Sequence, residues 1–90
     1  MNNKQALEAL AMDLKRIALG YFRDSNSMAE RFFQEALKRR NEIDIKMLKP
    51  YLIKFLKDID NLKTEKTDKA AEDALLYSTI FQNASTVIIP

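Results

Sequence analysis

Residues 37–57 read LKRRNEIDIKMLKPYLIKFLK, and the fold turns on whether they form one helix or two. A helix running straight through Asn41–Asp44 would merge two segments and give a three-helix chain. Two features argue for a break. Asp44 belongs to the small polar class that caps helix N-termini, and Pro50 removes a backbone donor and clashes one turn back if it lies in a helix interior. Either a regular helix starts late, with Pro50 in its first turn, or a short helical turn precedes a kink. The expected start lies between Asp44 and Lys49, since Met47 otherwise faces solvent. From there Ile45, Leu48, Leu52, Phe55, Ile59 and Leu62 keep a 3–4 spacing, which predicts a helix over about 45–62.

The flanking segments carry the same periodicity. Leu7, Leu10, Leu14, Ile17 and Tyr21 form one stripe of a helix over about 3–22, widened by Ala6, Ala11, Ala18 and Phe22. Gly20 lies near its end, and Arg23-Asp24-Ser25-Asn26 supplies the loop. Ser27-Met28-Ala29-Glu30 fits a capping box, opening a helix over about 28–41 that buries Ala29, Phe33, Ala36 and Leu37 with Phe32 at its margin. Thr67 is the expected cap of a last helix over about 68–84, with Ala70, Ala74, Tyr77, Ile80, Phe81 and Ala84 inward. The β-branched tail Ser85-Thr86-Val87-Ile88-Ile89-Pro90 is expected to fray or to pack as an extended segment. Short connections between amphipathic helices make neighbours antiparallel. The expected fold is an all-α, antiparallel, up-down-up-down four-helix bundle, one domain over residues 1–90. Its innermost residues should be Leu10, Leu14, Ile17, Phe33, Leu37, Leu52, Phe55, Ile59, Tyr77 and Phe81.

Composition agrees with this class. The chain is 47% hydrophobic and 31% charged, with one glycine and two prolines, which leaves little turn chemistry for β-hairpins. Histidine and cysteine are both absent, which removes the two commonest proton-shuttling and nucleophilic side chains and any thiolate metal site. No phosphate loop, dinucleotide fingerprint or nucleophile elbow occurs. The expectation is a protein that is not an enzyme and takes no cofactor or metal. Glu8 and Asp13 interrupt any signal-peptide core, and no apolar run approaches the ~18 residues of a membrane span. A cytoplasmic protein without membrane association is expected, and Asn83-Ala84-Ser85 reads as a chance sequon.

The net charge of +2 conceals a gradient. Residues 1–30 balance at four basic and four acidic, residues 31–57 carry eight basic and three acidic, and residues 58–90 carry three basic and six acidic. The basic candidates are Arg31, Lys38, Arg39, Lys46, Lys49, Lys54 and Lys57. On a helical projection Phe55 and the lysines fall on opposite faces, which fits a solvated helix surface better than a groove with rings beside cations. An alternative use expected of the same surface is self-association against the acidic last helix of another copy. Arg40 falls in line with the apolar stripe of its helix. Either the helix has ended there or the side chain snorkels outward at the bundle end, or it forms an ion pair at the core's edge with Asp73.

Three apolar residues fall outside the core stripes: Met12 and Leu19 on the first helix and Leu75 on the last. First and last helices are neighbours in an up-down bundle, so these residues are candidates for one docking seam. The expected function is a small non-enzymatic protein–protein interaction module, acting as a homodimer or as an adaptor or regulatory subunit. The alternative is a weak nucleic-acid-binding protein that uses the basic faces of the second and third helices.

Overall fold

The structure, a computed structural model, describes residues 2–63 and 66–87. It is an all-α four-helix bundle without strands among the described residues: α1 (Asn3–Phe22), α2 (Asn26–Asn41), α3 (Pro50–Asp58) and α4 (Thr67–Val87). One-turn 3-10 helices occupy Ile45–Met47 and extend α3 over Ile59–Lys63. The chain breaks between α2 and α3, so the two are separate helices.

Helix α1 is the centre of the bundle, packed along α2 on one side and α4 on the other. Leu7, Leu10, Leu14 and Ile17 are wholly buried there, and Phe81 of α4 is equally buried. Its start is a capping box. The Asn2 side chain accepts from the Gln5 backbone N–H at 2.8 Å, and Gln5 accepts from the Asn2 backbone. Its end is a Schellman turn. Asp24 takes the left-handed φ of 54°, Ser25 N–H donates to Gly20 O at 2.8 Å, and Asp24 N–H donates to Tyr21 O at 3.1 Å. Gly20 itself keeps a helical backbone. Its lack of a side chain serves a close approach instead, because a Cβ there would lie 2.8 Å from the Ala29 nitrogen of α2. At the opposite end, Asn3 clasps the chain after α2: its side chain donates to Asp44 O at 3.0 Å and accepts from Asp44 N–H at 2.9 Å. Contacts at both ends fix α1 and α2 as an antiparallel pair.

Several boundaries differ from the sequence-based expectation, each for a local reason. Helix α2 starts at Asn26 because Ser25, not Ser27, caps it, accepting from Met28 N–H at 3.3 Å. Asp44 caps only the 3-10 turn, by accepting from Lys46 N–H, and α3 begins with Pro50 in its first position, where a missing N–H costs nothing. Ile45 therefore lies outside the helix on whose inner face its spacing placed it, and is 52% exposed; Met47, also ahead of the helix, is 77% exposed. Starting at Pro50 also sets the phase of α3: Leu52, Leu56 and Ile59 face inward, while Phe55 is only half-buried, its ring 5.7 Å from that of Tyr77. Leu37 is half-buried too, and Phe22, past the last packed turn of α1, is exposed. Thr67 is the first residue of α4 rather than its cap. The helix continues through Val87, with Ser85 and Thr86 hydroxyls donating to Gln82 O and Asn83 O at 2.7 Å. The end of the tail, Ile88–Pro90, lies outside the described residues.

Candidate interaction surfaces

Among the described residues no helix is long and apolar enough to cross a membrane, and no group of three or more acidic side chains is placed to hold a metal ion. Clefts at two helix junctions, a basic surface and a buried carboxylate are the features of the described residues that bear on interaction.

The first cleft lies between α1 and α4. It holds about 330 Å³ and is lined by Ala11, Met12, Lys15, Leu75, Ser78, Thr79 and Gln82. Helical spacing places Met12 outside the core stripe of α1 and Leu75 outside that of α4, and packing of the two helices brings them to one cleft. They are 46% and 42% exposed. The Ser78 hydroxyl donates to Ala11 O at 2.7 Å, tying the helices together beneath it. Leu19, the third expected member, is half-buried and does not line the cleft. It is two turns from Met12, nearer the α2 loop.

The second cleft lies where α2 hands over to α3 and holds about 370 Å³. Ile43, Ile45, Ile53 and Leu56 give it aliphatic walls, and Arg40, Asn41, Lys57 and Asp60 give it a polar rim. Sequence periodicity gave no sign of it, because it depends on the break at residues 42–49. Arg40 is an edge-of-core arginine with a carboxylate partner, as one reading foresaw, but the partner is not Asp73. Its guanidinium lies 3.0 Å from Asp60 Oδ1 and donates to Leu56 O at 3.3 Å, satisfying a carbonyl near the end of α3. Asp60 follows α3 directly and so reaches the end of α2. Asp73, farther along the chain, pairs with Lys69 one turn away at 2.7 Å.

The seven basic candidates divide into two groups. Those on α2 are engaged locally: Arg31 lies over the Phe32 ring, Lys38 is 3.5 Å from Glu35, and Arg39 is 3.5 Å from Glu42. Lys46, Lys49, Lys54 and Lys57 are exposed and have no ion pair among the described residues. Tyr51, whose helical position places it at the edge between the apolar and basic faces, is 52% exposed and one turn from Lys54.

Asp13 was not anticipated as a buried residue. It sits on α1 facing α2 at 6% exposure, with Arg16 at 3.8 Å and Arg39 at 3.9 Å. Those distances are too long for hydrogen bonds, and the buried atoms Asp13 Oδ2 and Arg39 Nε have no hydrogen-bond partner among the described residues. Burial pushes the carboxyl above its ordinary range, and the two guanidiniums only partly offset that. The only sequence signal was an acidic residue one position from the apolar stripe, a position that helical periodicity does not resolve.

No protein-family model, no curated protein and no solved structure matches the chain, so its surface chemistry alone carries a functional argument.

Proposed function

We propose that this chain is a non-catalytic, cytoplasmic protein–protein interaction module that receives an amphipathic helix of a partner in the α1–α4 cleft. The observation that carries this is the pairing of Met12 and Leu75, both outside the core stripes, across one groove between two long helices. Helix-in-groove recognition lays the apolar face of an amphipathic helix into a groove with apolar walls. Lys15, Thr79 and Gln82 supply the margin here. A methionine suits the lip because its unbranched thioether adapts to the surface that meets it.

The test is a photo-crosslinking residue at position 12, with exposed position 30 as control. A discrete adduct at position 12 that disappears with Leu75→Lys is the expected outcome. No adduct, or one indifferent to Leu75→Lys, refutes the proposal. An adduct of twice the chain mass would make the occupant a second copy.

The second reading, nucleic-acid binding, draws support from Lys46, Lys49, Lys54 and Lys57, which have no ion pair among the described residues, and from Tyr51 one turn from Lys54. It predicts non-specific affinity of about 10⁻⁴–10⁻⁶ M at physiological salt, falling steeply as salt rises. An oligonucleotide titration at two ionic strengths checks it.

A further inference from the structure

A cleft with aliphatic walls has Lys57 on its rim, with Lys54 one turn away on α3, and neither lysine has an ion pair among the described residues; the same chain carries the opposite pattern elsewhere. Along α4, Asp68, Glu72 and Leu76 follow at intervals of four, so they line one exposed strip about 12 Å long. Asp68 and Glu72 have no ion pair among the described residues. Leu76 is 52% exposed. The strip offers two carboxylates and one leucine where the cleft offers Lys57 on its rim, Lys54 a turn away and a concave aliphatic wall.

We propose that the α2–α3 cleft is a self-association site that receives Leu76 of α4 from a second copy, with Lys54 and Lys57 facing that copy's Asp68 and Glu72. A two-fold arrangement forms the contact twice, cleft to strip and strip to cleft, so neither patch is left open. The shape of the site favours this occupant. A nucleic-acid strand calls for stacking rings, and the cleft walls are aliphatic. A bilayer receives protruding groups, not a hollow. Arg40, the strongest donor on the rim, is already held by Asp60 and Leu56 O, which leaves Lys57 and its neighbours to meet an anionic partner.

The experiment measures mass in solution for the purified full chain and for two charge-reversed variants. The first is Lys54→Glu with Lys57→Glu, and the second is Asp68→Lys with Glu72→Lys. All four positions are exposed, and circular dichroism checks that the helices persist. The wild type is expected as a dimer at low salt, weakening as ionic strength rises. Each variant alone opposes like charges at both contacts and should weaken the dimer at least ~10-fold. Mixed in equal amounts, the two variants restore opposite charges at both contacts, so the dimer should return. Leu76→Asp should abolish it, and Met12→Glu in the α1–α4 cleft should leave it intact, which separates this inference from the docking proposal above. A monomeric wild type overturns the inference, including one that binds anionic vesicles or oligonucleotides. So does a dimer that survives charge reversal, a mixture that stays monomeric, or a dimer lost with Met12→Glu but kept with Leu76→Asp.

Discussion

Replacing Gly20 with alanine sets two effects of similar size against each other. Alanine is favoured over glycine in a helix interior by about 1 kcal/mol, and Gly20 has no left-handed φ that would need a glycine. On those grounds alone Gly20→Ala should stabilise. The new Cβ, however, would lie 2.8 Å from Ala29 N, 3.1 Å from Ala29 Cα and 3.2 Å from Ala29 Cβ. Two of those three atoms are backbone and cannot rotate away. Relief requires moving the start of α2, where Ala29 N–H donates to Ser25 O at 3.1 Å and Ser25 N–H donates to Gly20 O at 2.8 Å. Overpacking of this kind costs about 1–3 kcal/mol, and the backbone contact places it toward the upper end. The expected net effect is a loss of about 1–2 kcal/mol, or roughly 5–15 °C in Tm for a domain of this size. Urea denaturation followed by circular dichroism measures it. Adding Ala29→Gly should not rescue the loss, because it relieves only the 3.2 Å contact. A Gly20→Ala protein more stable than wild type would refute the close approach of α1 and α2.

Other substitutions probe the remaining joints. Asp24→Gly should stabilise by about 0.5–1 kcal/mol in a thermal melt, since Asp24 holds the left-handed position that a glycine occupies with less strain. Phe33→Ala should cost about 3–5 kcal/mol, and Phe55→Ala measurably less, because Phe33 is buried and Phe55 only half-buried; equal losses in urea melts would contradict the phase of α3. For Asp13 the folded state holds the proton more tightly than the unfolded chain does. Its contribution to stability is thus greatest at low pH and declines as pH rises from the ordinary carboxylate range through the raised folded value. Asp13→Asn should remove that decline and leave the protein as stable at pH 7, or up to about 1 kcal/mol more so. Melts of both proteins over pH 3.5–7 give the difference, and a loss near 3 kcal/mol at pH 7 would show that the arginines outweigh desolvation.

Periodicity located the helices because their inner faces are nearly all apolar: Leu7 to Ile17 on α1, and Ala29, Phe33 and Ala36 on α2, all face the core as spaced. It misphased the start of the third segment, since a 3-10 turn and Pro50 reset the rotation between Ile45 and Leu52. Small polar residues were equally opaque. Ser78 and Ser85 are buried because each hydroxyl reaches a helical carbonyl, and nothing in their spacing distinguishes them from solvent-facing serines. The capping box at Asn2-x-x-Gln5 leaves no mark on the apolar spacing, because both of its residues are polar. Met12 and Leu75 were found because an apolar residue on the polar side of a helix stands out in one dimension. The α2–α3 cleft was not, because a connection creates it.

The central position of α1 has a consequence for the order of assembly. Its packing with α2 closes over only residues 23–25, whereas its packing with α4 must span residues 23–66. That interval is nearly four doublings longer, which adds about 2 kcal/mol of closure entropy. The α1–α2 hairpin is therefore expected to organise the transition state, with α4 docking afterwards. The Ser78–Ala11 hydrogen bond, between residues 67 apart, should form late, so Ser78→Ala should act almost wholly by accelerating unfolding, while Gly20→Ala should slow refolding. Stopped-flow chevrons of the two variants distinguish this order from one in which the chain ends meet first.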